Sequence, residues 1–211
     1  TGTAFRYDRA FWTPPLPPQA AFVAERDQIE RVLGLAAHVS LTDHDSIQAG
    51  VQLHVLRSSR HAPVSLEWTV PVEGTSLHVG VHNLPASAAT GWVHRLRRYT
   101  AAPLAGGVRE LLAGLGEIDD VLVVLNHPLW DESEIGQQAH YRTVLAFLRE
   151  CGPWIHALEL NGLRPGAENE KVLQMAKGLG YPVVSGGDSH ASEPSSVLNL
   201  TQGALNGYTV T

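Results

Sequence analysis

Residues 37–47 read AHVSLTDHDSI: Ala37-His38-Val39-Ser40-Leu41, then Thr42-Asp43-His44-Asp45, then Ser46-Ile47. The first five predict a short strand. The next four form a polar cluster built around a histidine. From Ser46 the pattern turns helical, over residues 46–56. A strand that delivers a histidine between carboxylates and then enters a helix is the repeating unit of parallel α/β folds. In those folds ligands gather at the carboxyl ends of the strands.

The unit recurs downstream. Residues 64–70 and 76–81 predict two strands joined through Glu73-Gly74-Thr75, a hairpin signal. Residues 87–100 and 106–115 predict helices. Residues 121–125 predict a buried strand, 135–150 a helix, 155–160 a strand, 168–179 a helix closed by Gly180, and 183–185 a short strand. Strand–helix units in series predict a parallel sheet with helices outside it. Upstream, residues 13–20 (TPPLPPQA) hold four prolines, which predict an extended connector, and residues 21–35 predict a helix.

Nearly every predicted strand carries or ends in a histidine or a carboxylate. Glu67 lies inside VSLEWTV, and His78 lies in the next strand with His82 close behind. Asn126-His127-Pro128 follows VLVVL. Glu159 precedes Asn161-Gly162, and Gly186-Gly187-Asp188-Ser189-His190 follows the last strand. Glu67 inside an apolar strand is costly unless partnered. Asp43, Asp45 and Asp188 stand beside histidines they would orient or join as ligands. An oxygen and nitrogen donor set of this kind suits zinc, manganese or iron.

Composition narrows the classes. The chain has 211 residues, 44% hydrophobic and 17% charged, an ordinary globular balance. One cysteine excludes a disulfide-built scaffold. No apolar run approaches the roughly 20 residues of a membrane span. A formal charge of −6, from 15 basic and 21 acidic residues, disfavours binding to long nucleic acid. The outstanding figure is 11 histidines. The start TGTAFRYDRA has no signal-peptide pattern, and a cytoplasmic location is expected.

Taken together, LTDHDSI, Glu67, His78, NHP, ELNG and GGDSH resemble the PHP (polymerase and histidinol phosphatase) family, over about residues 41–190. The resemblance implies a single domain, residues 1–211, with residues 1–20 as an extended or inserted segment. It implies a distorted seven-stranded (β/α) barrel of the TIM-like kind, truncated at its ends. It implies one to three divalent ions (Zn, Mn or Fe) and hydrolysis of a small phosphate ester or nucleotide through a metal-activated water. By position in the motifs, His44, Glu67, His78, His127, Asp188 and His190 would be metal ligands. His127 and His190 would also serve proton transfer. Glu67, His78 and His127 make one complete ion site. His44 and His190 belong to a second, with Asp8 as its candidate third ligand.

The family's opening H-x-H has no counterpart, since no histidine precedes His38. Either Thr1-Gly2-Thr3 is the remnant of a stretch beyond H-x-H, or residues 5–11 are a first strand that has lost its histidines. Three functions follow: a phosphoesterase, a degenerate metal-binding module, or an amidohydrolase. The last is disfavoured because Lys171 and Lys177, the only lysines, fall on a late helix. Ordinary roles are expected for His38, His54, His61, His94, His140 and His156, a solvated face for Arg95, Arg97 and Arg98, and inert packing for Cys151. His82 reads as a secondary or surface residue, and Glu159 with Asn161 as shaping the rim.

Overall fold

A computed structural model describes residues 16–56, 59 and 61–188. In chain order it contains α1 (Pro18–Val32), β1 (Thr42–His44), α2 (Gln48–Val55), β2 (Ser65–Val72), β3 (Thr75–His82), α3 (Ala86–Ala101), α4 (Gly107–Gly116), β4 (Leu122–Leu125), α5 (Gln137–Cys151), β5 (Ala157–Asn161), α6 (Gly166–Leu179) and β6 (Val183–Gly186). The strands form one sheet in the order β1-β2-β3-β4-β5-β6, curled into a half-barrel.

Alternation along the strands sorts two faces. Leu66, Trp68 and Val70 of β2, Leu77, Val79 and Val81 of β3, Val123 and Leu125 of β4, and Leu158 and Leu160 of β5 join one apolar core. Helices cover that face with stripes at helical spacing. Ala89, Trp92, Val93 and Leu96 come from α3, and Val144, Phe147, Leu148 and Cys151 from α5. The opposite, inner face carries Ser65, Glu67, His78, Gly80, His82, Glu159 and Asn161. Its apolar part is small: Leu122, Val124, Ala157 and Val184.

Three expectations are corrected. The sheet is mixed rather than parallel. β1 is parallel to β2, and β4, β5 and β6 are mutually parallel, but β3 is antiparallel to both neighbours. The tight turn at Glu73-Gly74, where Gly74 has φ +77°, forces that reversal. The strand expected over residues 37–41 is displaced. Thr42, Asp43 and His44 are themselves the strand, paired with Ser65, Leu66 and Glu67. Helix α1 begins inside the proline-rich stretch, because Pro18 at its first turn gives up an N–H that no helix bond needs.

The seven-stranded barrel is not seen whole. Among the described residues there are six strands, and β1 and β6 do not pair with each other. Residues 5–11, the alternative first strand, lie outside the described residues, as do Asp8, Thr1-Gly2-Thr3, Ser189 and His190.

Candidate metal centre

Every strand except β3 points the same way, so their carboxyl ends open on one rim. His44 ends β1, His127 follows β4, and Asp188 follows β6. β3 is reversed, so its early residue His78 reaches the same level. The ladder pairs Glu67 with His44 on one side and with Gly80 on the other. Four elements therefore deliver His44, Glu67, His78 and His127 to one place.

The donor atoms are close. His127 Nε2 lies 3.1 Å from Glu67 Oε1 and 3.2 Å from His78 Nδ1, and His78 Nδ1 lies 3.3 Å from the same Glu67 oxygen. Ligands held about 2.0–2.1 Å from a tetrahedral ion stand about 3.3 Å apart. The triangle thus has the dimensions of one face of such a tetrahedron. His44, Glu67 and His78 also offer atoms that all lie within 4.8 Å of one another. Glu67, His78 and His127 are buried, while His44 is exposed on the open side.

Surrounding groups fix these side chains. The backbone N–H of His127 donates to Glu159 Oε2 at 2.7 Å. The Asn161 amide donates to Glu159 Oε2 at 3.2 Å and to Asp188 Oδ2 at 3.1 Å. Asp188 thus joins the centre through Asn161. Trp130 packs edge-on to the His127 ring, with centroids 4.9 Å apart. His127 has φ +26° and precedes Pro128. Asp45 at φ +50° and Asp188 at φ +45° are likewise left-handed. Non-glycine residues in this region carry strain that surrounding structure must hold, and such strain gathers at working sites.

Asp43 and Asp45 serve the backbone. Asp43 Oδ2 accepts from Ala49 N–H at 3.4 Å, at the start of α2. Asp45 Oδ1 accepts from Thr69 N–H at 3.0 Å, and Asp45 N–H donates to the Glu67 carbonyl at 2.7 Å. They pin the loop after β1 to β2.

Electrostatics follow from burial and pairing. Burial pushes the Glu67 carboxyl up, but hydrogen bonds and charge from His127 and His78 outweigh it and hold Glu67 well below the usual carboxylate range. Burial pulls His127 down, but its bond to Glu67 and the charges of Glu159, Glu67 and Asp188 push it up to about 9. Glu159 is driven up to about 7, by burial first. His82, shut in the interior, falls to about 4 despite Glu67 nearby.

His82, expected as either a secondary or a surface residue, does not lie at the surface. It is buried, with Nδ1 2.8 Å from Ser40 Oγ. Period-two spacing on β3 puts His78, Gly80 and His82 on one face, a signal present in the sequence. Glu159 is likewise a buried support of His127 rather than a rim residue. Glu132, which the sequence did not single out, brings Oε2 to 3.6 Å from His78 Nε2. Arg95, Arg97 and Arg98 lie on α3, which packs on the other face of the sheet, and Arg95 stacks on Trp92 at 3.6 Å.

The chain matches no family model and no curated protein sequence. Its fold is similar to that of an amidohydrolase from Chromobacterium violaceum, solved with bound sulfate and no metal. That chain is 15% identical, 83% of each chain is covered, and the TM-score is 0.53. A candidate metal-dependent phosphoesterase of Bifidobacterium adolescentis aligns at 15% identity over 79% of this chain and 82% of that one, with a TM-score of 0.44. At this identity the likeness to the first establishes a shared fold.

Proposed function

We propose that this chain is a metal-dependent hydrolase that cleaves a small phosphate ester or nucleotide. The observation that carries the reading is the triangle of Glu67 Oε1, His78 Nδ1 and His127 Nε2, with edges of 3.1–3.3 Å. His44 stands beside it as a fourth donor. A divalent ion (zinc, manganese or iron) held there would act as a Lewis acid and lower the pKa of its water.

The chain's own groups do the rest. Glu67 supplies a fixed negative charge in a buried setting. Glu159 grips the backbone of His127 and sets the ring against Glu67. His127 and His190 are the proposed proton carriers, His127 beside the donor triangle and His190 by its place in the D-x-H motif. Asp188 and His190 are further proposed ligands, with Asp188 steered by Asn161. One to three ions are proposed, and no long nucleic acid partner, on the net charge of −6.

An amidohydrolase centre bridged by lysine has no residue to use, because Lys171 and Lys177 are exposed on α6, on the helix-covered side.

The test is metal content and turnover together. Wild-type protein and His127→Ala are assayed for bound zinc, manganese and iron, then against phosphate esters and amides with added metal. Loss of an ion and of phosphatase activity in the variant is expected. Amide turnover alone would replace the substrate class. Bound metal with no turnover of either class would leave a metal-binding module.

A further inference from the structure

His140 is out of character with its surroundings. It lies on the core face of α5 at 2% exposure, in a stripe continued by Val144, Phe147 and Cys151. An apolar side chain would fill that place with no polar atom to satisfy. The imidazole is only half satisfied. Its Nε2 lies 3.0 Å from the Pro128 carbonyl, which can only accept, so Nε2 donates. Its Nδ1 is buried and has no hydrogen-bond partner among the described residues. Buried polar groups ordinarily have partners. A histidine here is a poor choice for stability alone.

The one bond it makes falls on the turn that presents His127. The His127 carbonyl accepts from Trp130 N–H at 2.9 Å, closing a tight turn with Pro128 and Leu129 at its centre. In such a turn the peptide between the two central residues flips between type I and type II. Its carbonyl is that of Pro128, which His140 holds. Type II would need a positive φ at Leu129, and the structure shows none there. His127 itself sits at φ +26°, with its N–H on Glu159 Oε2 at 2.7 Å. Glu159 therefore grips the chain at this strained residue from β5, and His140 grips it one residue later from α5.

We propose that His140 is a positioning residue for His127. By holding the Pro128 carbonyl it keeps the turn in one form and the His127 ring against Glu67. His140 is not a ligand and acts only through the turn. The proposal rests on the metal centre proposed above.

The test uses the full chain and two readouts. One is amide hydrogen exchange at His127 and Trp130 in chelator-treated protein. The other is Mn²⁺ affinity, followed by electron paramagnetic resonance of the free ion. His140→Leu suits the apolar stripe but removes the donor. Protection of both amides should fall about tenfold, the worth of one buried hydrogen bond. Mn²⁺ binding should weaken about 10- to 100-fold, the range for outer partners of metal ligands. His140→Gln carries an amide N–H in place of Nε2 and should restore both readouts. Val144→Ala, a cavity on the same helix, should lower stability and leave both in place. If His140→Leu does not fold, His140→Asn, polar but too short to reach Pro128, takes its place. The proposal is overturned if the donor-free variant keeps wild-type protection or affinity, if His140→Gln fails to restore them, or if Val144→Ala loses as much. Should His127→Ala abolish Mn²⁺ binding while His140→Leu leaves it intact, this proposal falls and the hydrolytic reading stands. If wild type takes up no Mn²⁺, the hydrolytic reading falls. Protection lost in His140→Leu and regained in His140→Gln would then still place the His127 turn under His140.

Discussion

His127 holds its proton up to about 9 because Glu67 is bonded to it. A metal ion binds the neutral ring, so binding must expel that proton. At pH 7, calorimetry in buffers of different ionisation enthalpy should record close to one proton released per ion. Affinity should climb with pH and level off near 9. Uptake without proton release would remove His127 from the ligand set. Gly186 makes a separate prediction. Any Cβ there would run into the Glu159 carboxylate. Gly186→Ala should cost about 1–3 kcal/mol in urea unfolding, the usual range for overpacking. The side chain that yields is Glu159, so the variant should also loosen His127. The residues gathered at the candidate centre were legible individually because His44, Glu67, His78, His127 and Asp188 sit in recognisable strings. His82 was not, because its role depends on Ser40, a partner 42 positions away in the sequence.

At the scale of elements, most were visible in the apolar periodicity. The stripes of α3 and α5 and the buried runs of β4 and β5 carry their own pattern. β1 was misplaced because polar Thr42-Asp43-His44 has little strand preference, and pairing with β2 imposes the conformation. The direction of β3 was implied by the hairpin signal yet lost in the strand–helix rhythm around it. One element contact invites a direct test. The Trp68 indole N–H donates to Thr100 Oγ1 at 3.0 Å, and Thr100 Oγ1 donates to the Thr69 carbonyl at 2.6 Å, tying α3 to β2. Trp68 is fully buried. Thr100→Val keeps the shape but orphans the indole, and should destabilise the fold by about 1–3 kcal/mol in denaturant titration.

For the whole molecule, two buried groups pull the pH dependence of stability in opposite directions. His82 drops from an ordinary 6.5 to about 4 on folding. Between those values the unfolded chain binds more protons, so stability is lost as pH falls through that window. Glu159 rises from 4.5 to about 7. There the folded chain binds more protons, and stability is lost as pH rises from 4.5 to 7. Thermal melting of metal-free protein should therefore be flatter against pH than either group alone would make it. His82→Asn should leave a decline with rising pH, and Glu159→Gln a decline with falling pH. An unchanged profile in both variants would show that neither group titrates in this window. The division behind this behaviour, an apolar face under helices and a polar inner face, follows from strand alternation alone. Curvature and closure were not readable, since they depend on how distant strands meet.

The reversed strand also has a consequence in time. β2 and β3 are neighbours in the chain, joined by a two-residue turn from Val72 to Thr75. Hairpins of this kind close within about 1–10 μs, while parallel pairings such as β4 with β5 wait on long loops. Glu67 and His78 share that hairpin. A nascent chain that has reached residue 82 already contains two donors of the proposed ion site, on one ribbon and in register. At the proposed site, metal capture would then begin before the sheet exists, and the ion would take part in folding as well as in the finished protein.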